Sequence, residues 1–106
     1  MAASTPDLES IAHLLAGLGH PIRLRIVMAL DADPLSPRGL HERLDVGLSL
    51  VAYHVRALRD DELLELVATR RARGSVESFY RLTASGRRAR EMLAAAWPEI
   101  GYEPIG

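Results

Sequence analysis

Residues 36–83 constrain the fold more than any other part of this 106-residue chain. They read as a short helical segment, a tight turn at Asp45-Val-Gly47, a second helical segment, and two β-rich segments joined by an Arg-rich tip. The second helix is predicted over residues 48–60. At about 100° per residue, Leu48, Val51, Val55 and Leu58 fall on one side, while Ser49, Tyr53 and Arg56 fall nearly opposite, flanked by Leu50 and Ala52. Such a helix can bury one face and lay the other in a DNA major groove. The segments Leu63–Ala68 and Val76–Leu82, with Gly74-Ser75 in the connection, predict a hairpin spanning 63–82. Arg70, Arg71 and Arg73 gather at its tip, where a cationic hairpin can straddle flanking phosphates. The pattern predicts a mainly α fold with a small β-hairpin wing, a winged helix-turn-helix.

The rest of the chain supplies helices to pack against this unit. Leu8, Ile11, Ala12, Leu15 and Leu18 keep helical spacing up to Gly17–Gly19. His20-Pro21 starts another helix, with Pro in the first turn where its missing N–H costs nothing, and Ile22, Ile26, Val27 and Leu30 form its buried stripe. Asp31–Pro34 breaks it. Ser36-Pro37 repeats the start signal for a helix through Leu40 to Leu44. Thr83 caps a last helix with an apolar stripe of Ala89, Met92, Leu93, Ala96 and Trp97, and Pro98 stops it. One domain is expected over residues 7–97, between a disordered segment 1–6 and a short tail 98–106.

Charge is distributed unevenly. The net value is −1, yet residues 36–90 hold eleven Arg against seven acids, whereas residues 1–35 hold two against four. Every basic residue of the Lys/Arg class is Arg, which suits bidentate contacts to phosphate and guanine; genomic base composition would also produce the bias. Cysteine is absent, which removes disulfides, thiolate metal sites and cysteine nucleophiles. The apolar runs fall far short of the ~20 residues of a membrane span. Met1–Pro6 lacks the charged start and apolar stretch of a signal peptide, so a cytoplasmic address and no membrane partner are expected.

Four segments in order carry a resemblance: Leu18-Gly-His-Pro-Ile-Arg-Leu-Arg-Ile26, Leu35-Ser-Pro-Arg38, Tyr53-His-Val-Arg-Ala-Leu58 and Val76-Glu-Ser-Phe-Tyr-Arg-Leu-Thr83. Together they resemble the ArsR-type winged-helix transcriptional regulators over about residues 11–97. The resemblance implies a homodimer that binds double-stranded operator DNA, usually as a repressor released by a ligand or metal. It also implies a dimer interface on the first and last helices, here Leu8, Ile11, Leu15, Met92, Leu93, Ala96 and Trp97. Metal-sensing relatives use Cys near the recognition helix, or Asp and His on the last helix. This chain has no Cys, and Glu91 is the acid of a last helix without His, so neither metal nor cofactor is expected and any small-molecule effector is unspecified. Two further departures are Gly39, where relatives often carry Glu and complete a capping box with Ser36, and Asp61-Glu62, where they often carry Gly.

On this reading Ser49, Leu50, Ala52, Tyr53 and Arg56 meet base edges or the groove, and Ser36, Arg38, His54, Arg70, Arg71 and Arg73 meet the backbone. Duller roles stand beside these. The polar face of helix 48–60 could be solvated, His54 could cap a packed flank, and the Arg cluster could be a solvated charge run. His13, His20 and His41 lack the spacing of paired helical ligands. No nucleophile–base pair, phosphate-cradling Gly loop or credible carboxylate pair is present, so no enzyme is expected. The alternative is a winged-helix protein-interaction module without DNA binding.

Overall fold

The computed structural model describes residues 8–96, apart from the side chain of Ser10. Helices α1 (Leu8–Gly17), α2 (Pro21–Ala29), α3 (Pro37–Leu44) and α4 (Leu48–Asp60) are followed by an antiparallel hairpin of β1 (Leu64–Ala72) and β2 (Ser75–Leu82), then by α5 (Ala84–Ala96). The order is that of a winged helix-turn-helix. The expected segments 1–6 and 98–106, together with Trp97, lie outside the described residues.

Local chemistry sets the helix starts. His20 Nδ1 accepts from the Ile22 amide at 3.1 Å ahead of Pro21, and Ser36 Oγ accepts from the Gly39 amide at 3.1 Å ahead of Pro37. Thr83 Oγ1 does the same for Gly86 at 3.1 Å and opens α5. At the α3–α4 turn, Asp45 takes a left-handed conformation, φ 54°, as short polar residues can. His41 Nδ1 meets the Val46 carbonyl at 2.6 Å and Arg25 donates to the Leu44 carbonyl at 2.8 Å, so the turn is held from within and from α2.

One core joins these elements. Ile26, Val27 and Leu30 from α2 meet Leu40 and Leu44 from α3, Val51, Val55 and Leu58 from α4, and Leu63, Leu64, Tyr80, Leu82 and Ala89 beyond. Of the expected α2 stripe, Ile22 is only partly buried. Leu48, expected on the buried side of α4, is exposed, because it sits in the first turn ahead of the packed stretch. Behind α4 the chain turns at Glu62, whose φ of 61° lies in the left-handed region that favours Gly. Thr83 braces that turn: its hydroxyl donates to the Glu62 carbonyl at 2.7 Å and its amide to the Leu63 carbonyl at 3.1 Å. Gly86 passes so close that a Cβ there would stand 2.2 Å from the Leu63 carbonyl oxygen.

The hairpin keeps its expected span, but its strand pairing runs further toward the tip than expected. β1 continues to Ala72, so Arg70 and Arg71 are ladder residues opposite Glu77 and Val76, and the tip is the two-residue turn Arg73-Gly74. Both turn residues have positive φ, 51° and 80°, the geometry whose twist matches paired strands. Sequence alternation misses this because both faces of the outer hairpin are solvated and carry no hydrophobic period. A register shift at Val67 separates the buried root from this outer ladder. On the far edge of β2, Leu35 and Tyr80 exchange backbone hydrogen bonds of 3.1 and 2.9 Å, so the segment before α3 acts as a one-residue third strand.

Candidate nucleic-acid interface

The turn at 45–47 and the buried side chains Val51, His54, Val55 and Leu58 fix α4 with one face in the core. Ser49, Leu50, Tyr53 and Arg56 then point outward, and Ala52 is half-buried at the margin. Tyr53 is 55% exposed and Leu50 45%, an apolar-aromatic surface that an ordinary solvated helix has little reason to display. The outward face therefore carries a phenol, a hydroxyl, a guanidinium and an aliphatic group within two turns. That set can offer hydrogen bonds to base edges and a methyl-sized apolar contact together.

Two residues expected at the backbone are turned inward. Ser36 is 1% exposed, and its hydroxyl donates to Glu77 Oε2 at 2.5 Å while accepting from the Gly39 amide. Its capping duty places it against the wing, so this geometry leaves no free hydroxyl for phosphate. His54 is 3% exposed, because its helical position turns it toward α2 rather than the outer face. Its Nδ1 accepts from Arg23 Nε at 3.0 Å, its ring lies 4.3 Å from that of His20, and Tyr53 meets it edge-on at 5.1 Å. Nε2 is buried without a partner among the described residues. Burial foremost, then the nearby charges of His20 and Arg23, hold the His54 imidazole below its ordinary titration range.

The arginines are held in different ways. Arg23 donates to the Gly17 carbonyl at 3.1 Å, Arg87 to that of Leu82 at 3.0 Å, and Arg90 to that of Met28 at 3.3 Å. Together with Arg25, they fasten the ends of α1, α2, α3 and β2 to neighbouring elements. Arg38, Arg56, Arg71 and Arg73 are exposed and have no ion-pair partner among the described residues. Arg70 behaves differently from its neighbours: Nη2 lies 2.6 Å from Glu77 Oε1, and the guanidinium sits 5.3 Å from the Phe79 ring centroid. The Ser36 hydrogen bond first, then Arg70, keep the Glu77 carboxyl below its ordinary pKa. Sequence reading passes over Glu77 and Arg23, since their partners lie 41 and 31 residues away and depend on hairpin register and helix packing.

Of the expected dimer-face residues, Leu8, Ile11, Leu15, Met92 and Ala96 are exposed, whereas Leu93 packs partly against the core. Among the described residues, no group of three or more His, Asp or Glu is placed to hold a metal. No described helix is long and apolar enough to cross a membrane.

A family described as helix-turn-helix domain matches residues 18–67. No curated protein matches the sequence. Among solved structures, reduced HlyU from Vibrio cholerae is 25% identical, with a TM-score of 0.72 over 86% of this chain and 92% of that one. The transcriptional repressor BigR from Xylella fastidiosa is 27% identical, with a TM-score of 0.69 over 91% of each chain. A homodimeric winged helix-turn-helix DNA-binding domain from Mycobacterium bovis, itself a possible ArsR-family regulator, shares the fold at 18% identity, with a TM-score of 0.68 over 93% of this chain and 92% of that one. Motif order, capping chemistry and element order thus converge: the chain has the winged helix-turn-helix fold, and within it residues 18–67 match a helix-turn-helix domain family.

Proposed function

We propose that the protein is a sequence-specific DNA-binding transcriptional regulator, a homodimeric repressor and not an enzyme, acting in the cytoplasm. Helix α4 enters the major groove of operator DNA, where Ser49, Leu50, Ala52, Tyr53 and Arg56 meet base edges and the groove wall. Arg38, Arg71 and Arg73 meet phosphates on either side. The observation that carries this reading is the outward face of α4, where Tyr53 and Leu50 stand exposed beside Arg56 on a helix whose other face is locked in the core.

The second copy is supported by unpartnered apolar side chains on α1 and α5: Leu8 is 71% exposed, Leu15 59% and Met92 59%. Pairing these faces in two copies relates the two α4 helices by a two-fold axis, suited to half-sites about 34–36 Å apart. BigR is a transcriptional repressor, and the same sign of regulation is proposed here.

Fluorescence anisotropy with the protein's own upstream intergenic DNA, at two salt concentrations and against an unrelated duplex, tests the reading. If six to ten phosphates are neutralised, affinity falls on the order of 10³–10⁵ between 50 and 200 mM salt, with preference for the upstream duplex. Salt-indifferent binding, or none to either duplex at low salt, would reject DNA reading and leave the same face to a protein partner.

A further inference from the structure

The wing's link to the helix-turn-helix runs through one carboxylate. Glu77 projects from β2, receives the Ser36 hydroxyl hydrogen at the α3 N-cap on Oε2, and pairs with Arg70 of β1 through Oε1 at 2.6 Å. Its side chain is 17% exposed, against 66% for Arg70, so the pair stands at the rim of the protein with its acid turned inward. Arg38, in the first turn of α3, adds a further positive charge close enough to act on the same carboxylate. In a capping box, an acid three residues after the cap would brace this helix start. That position is Gly39, and an acid arrives instead from a strand 41 residues on.

We infer that Glu77 is a positioning residue for DNA binding: it pins the wing to the start of α3 and keeps Arg70 neutralised, so that Arg71 and Arg73 carry the wing's phosphate contacts. This rests on the DNA-binding reading above. The geometry separates the three arginines. Arg70 lies on the ladder face shared with Glu77 and Phe79, Arg71 on the opposite face with Val76, and Arg73 in the turn. A guanidinium already paired with a carboxylate and laid against a ring displaces few counterions when DNA arrives. Removing Glu77 would free that guanidinium, remove a negative charge beside the phosphates and release the wing from α3.

The test is the salt slope of binding to a mixed-sequence DNA duplex, which needs no knowledge of the operator. Glu77→Ala is expected to steepen the slope by about one unit and tighten non-specific binding. Arg70→Ala alone should change it by less than about half a unit, because that charge is already neutralised. The double variant should return close to the parent slope. Glu77→Gln, which keeps an acceptor for Ser36, should reproduce the steepening if the alanine variant unfolds. Circular dichroism identifies folded variants, and a merely structural Glu77 would lower stability without steepening the slope. Unchanged slopes in both folded Glu77 variants, with parent DNA binding intact, would overturn this inference alone. A parent protein that binds no duplex would overturn it together with the DNA-binding reading.

Discussion

Helix α4 and the hairpin supply the two halves of the proposed interface, yet they are held in different ways. Four consecutive-turn side chains, Val51, His54, Val55 and Leu58, anchor α4 across its length. The hairpin is buried only at its root, through Leu64, Tyr80 and Leu82; from Leu66 to Ser75 nearly every residue is exposed. An isolated two-stranded ladder is marginal in water, so the outer wing depends on the Arg73-Gly74 turn and on the Ser36–Glu77–Arg70 bridge. The lesson concerns precision. Side chains that read base edges need a rigid base, whereas cations that meet phosphates tolerate a tethered arm.

The sharpest way to break the rigid half is Leu58→Ala, which empties a fully buried site and should cost about 2–5 kcal/mol in urea unfolding. DNA binding should recover when stabilising osmolyte restores the fold. Gly86→Ala attacks the root of the wing instead. Its Cβ would press on the Leu63 carbonyl, a backbone atom that cannot swing aside, for about 1–3 kcal/mol by the same assay. If Gly86→Ala is neutral, the close packing of α5 on that root is wrong.

Two surface changes sharpen the division without touching the core. Tyr53→Ala should leave the unfolding midpoint nearly unchanged and cost about 1–3 kcal/mol of operator affinity, with relaxed base preference. Arg71→Ala should weaken all sequences alike and flatten the salt slope by about one unit. Equal losses on every sequence for both variants would dissolve the distinction between helix and wing.

The smallest effect expected is a pH dependence on the α4 side. His54 is depressed below its ordinary value of 6.5, chiefly by burial and then by His20 and Arg23. The unfolded chain therefore binds a proton that the folded chain resists, and stability present above about pH 6.5 declines as pH falls through that value toward the folded pKa. Glu77, depressed from 4.5, adds a loss at lower pH, where its proton weakens the bridge to Ser36 and Arg70. Unfolding midpoints followed from pH 8 to about pH 2 should show two successive declines, the second below about pH 4.5, with His54→Gln flattening only the first. A parent curve that stays level below pH 6.5 would contradict the His54 assignment.

Much of this fold is legible in the chain because its signals are local. Pro21 and Pro37 fix φ at helix starts, Ser36 and Thr83 offer oxygens to amides three residues on, and the spacing of Val51, Val55 and Leu58 assigns a buried side to α4. Each depends on neighbours within a turn or two, so sequence by itself determined the order of elements and the outward set of Ser49, Tyr53 and Arg56. Tertiary structure decided which polar groups remained available. Ser36 was recruited by Glu77, His54 by Arg23, and Arg70 was removed from the free cations by an acid that hairpin register placed opposite it. Glu62 could keep a left-handed turn without glycine while Thr83 braced its carbonyl. Residue type announces what a side chain can bond; which partner it meets depends on contacts between segments distant in the chain, and those exist only once the core has brought them together.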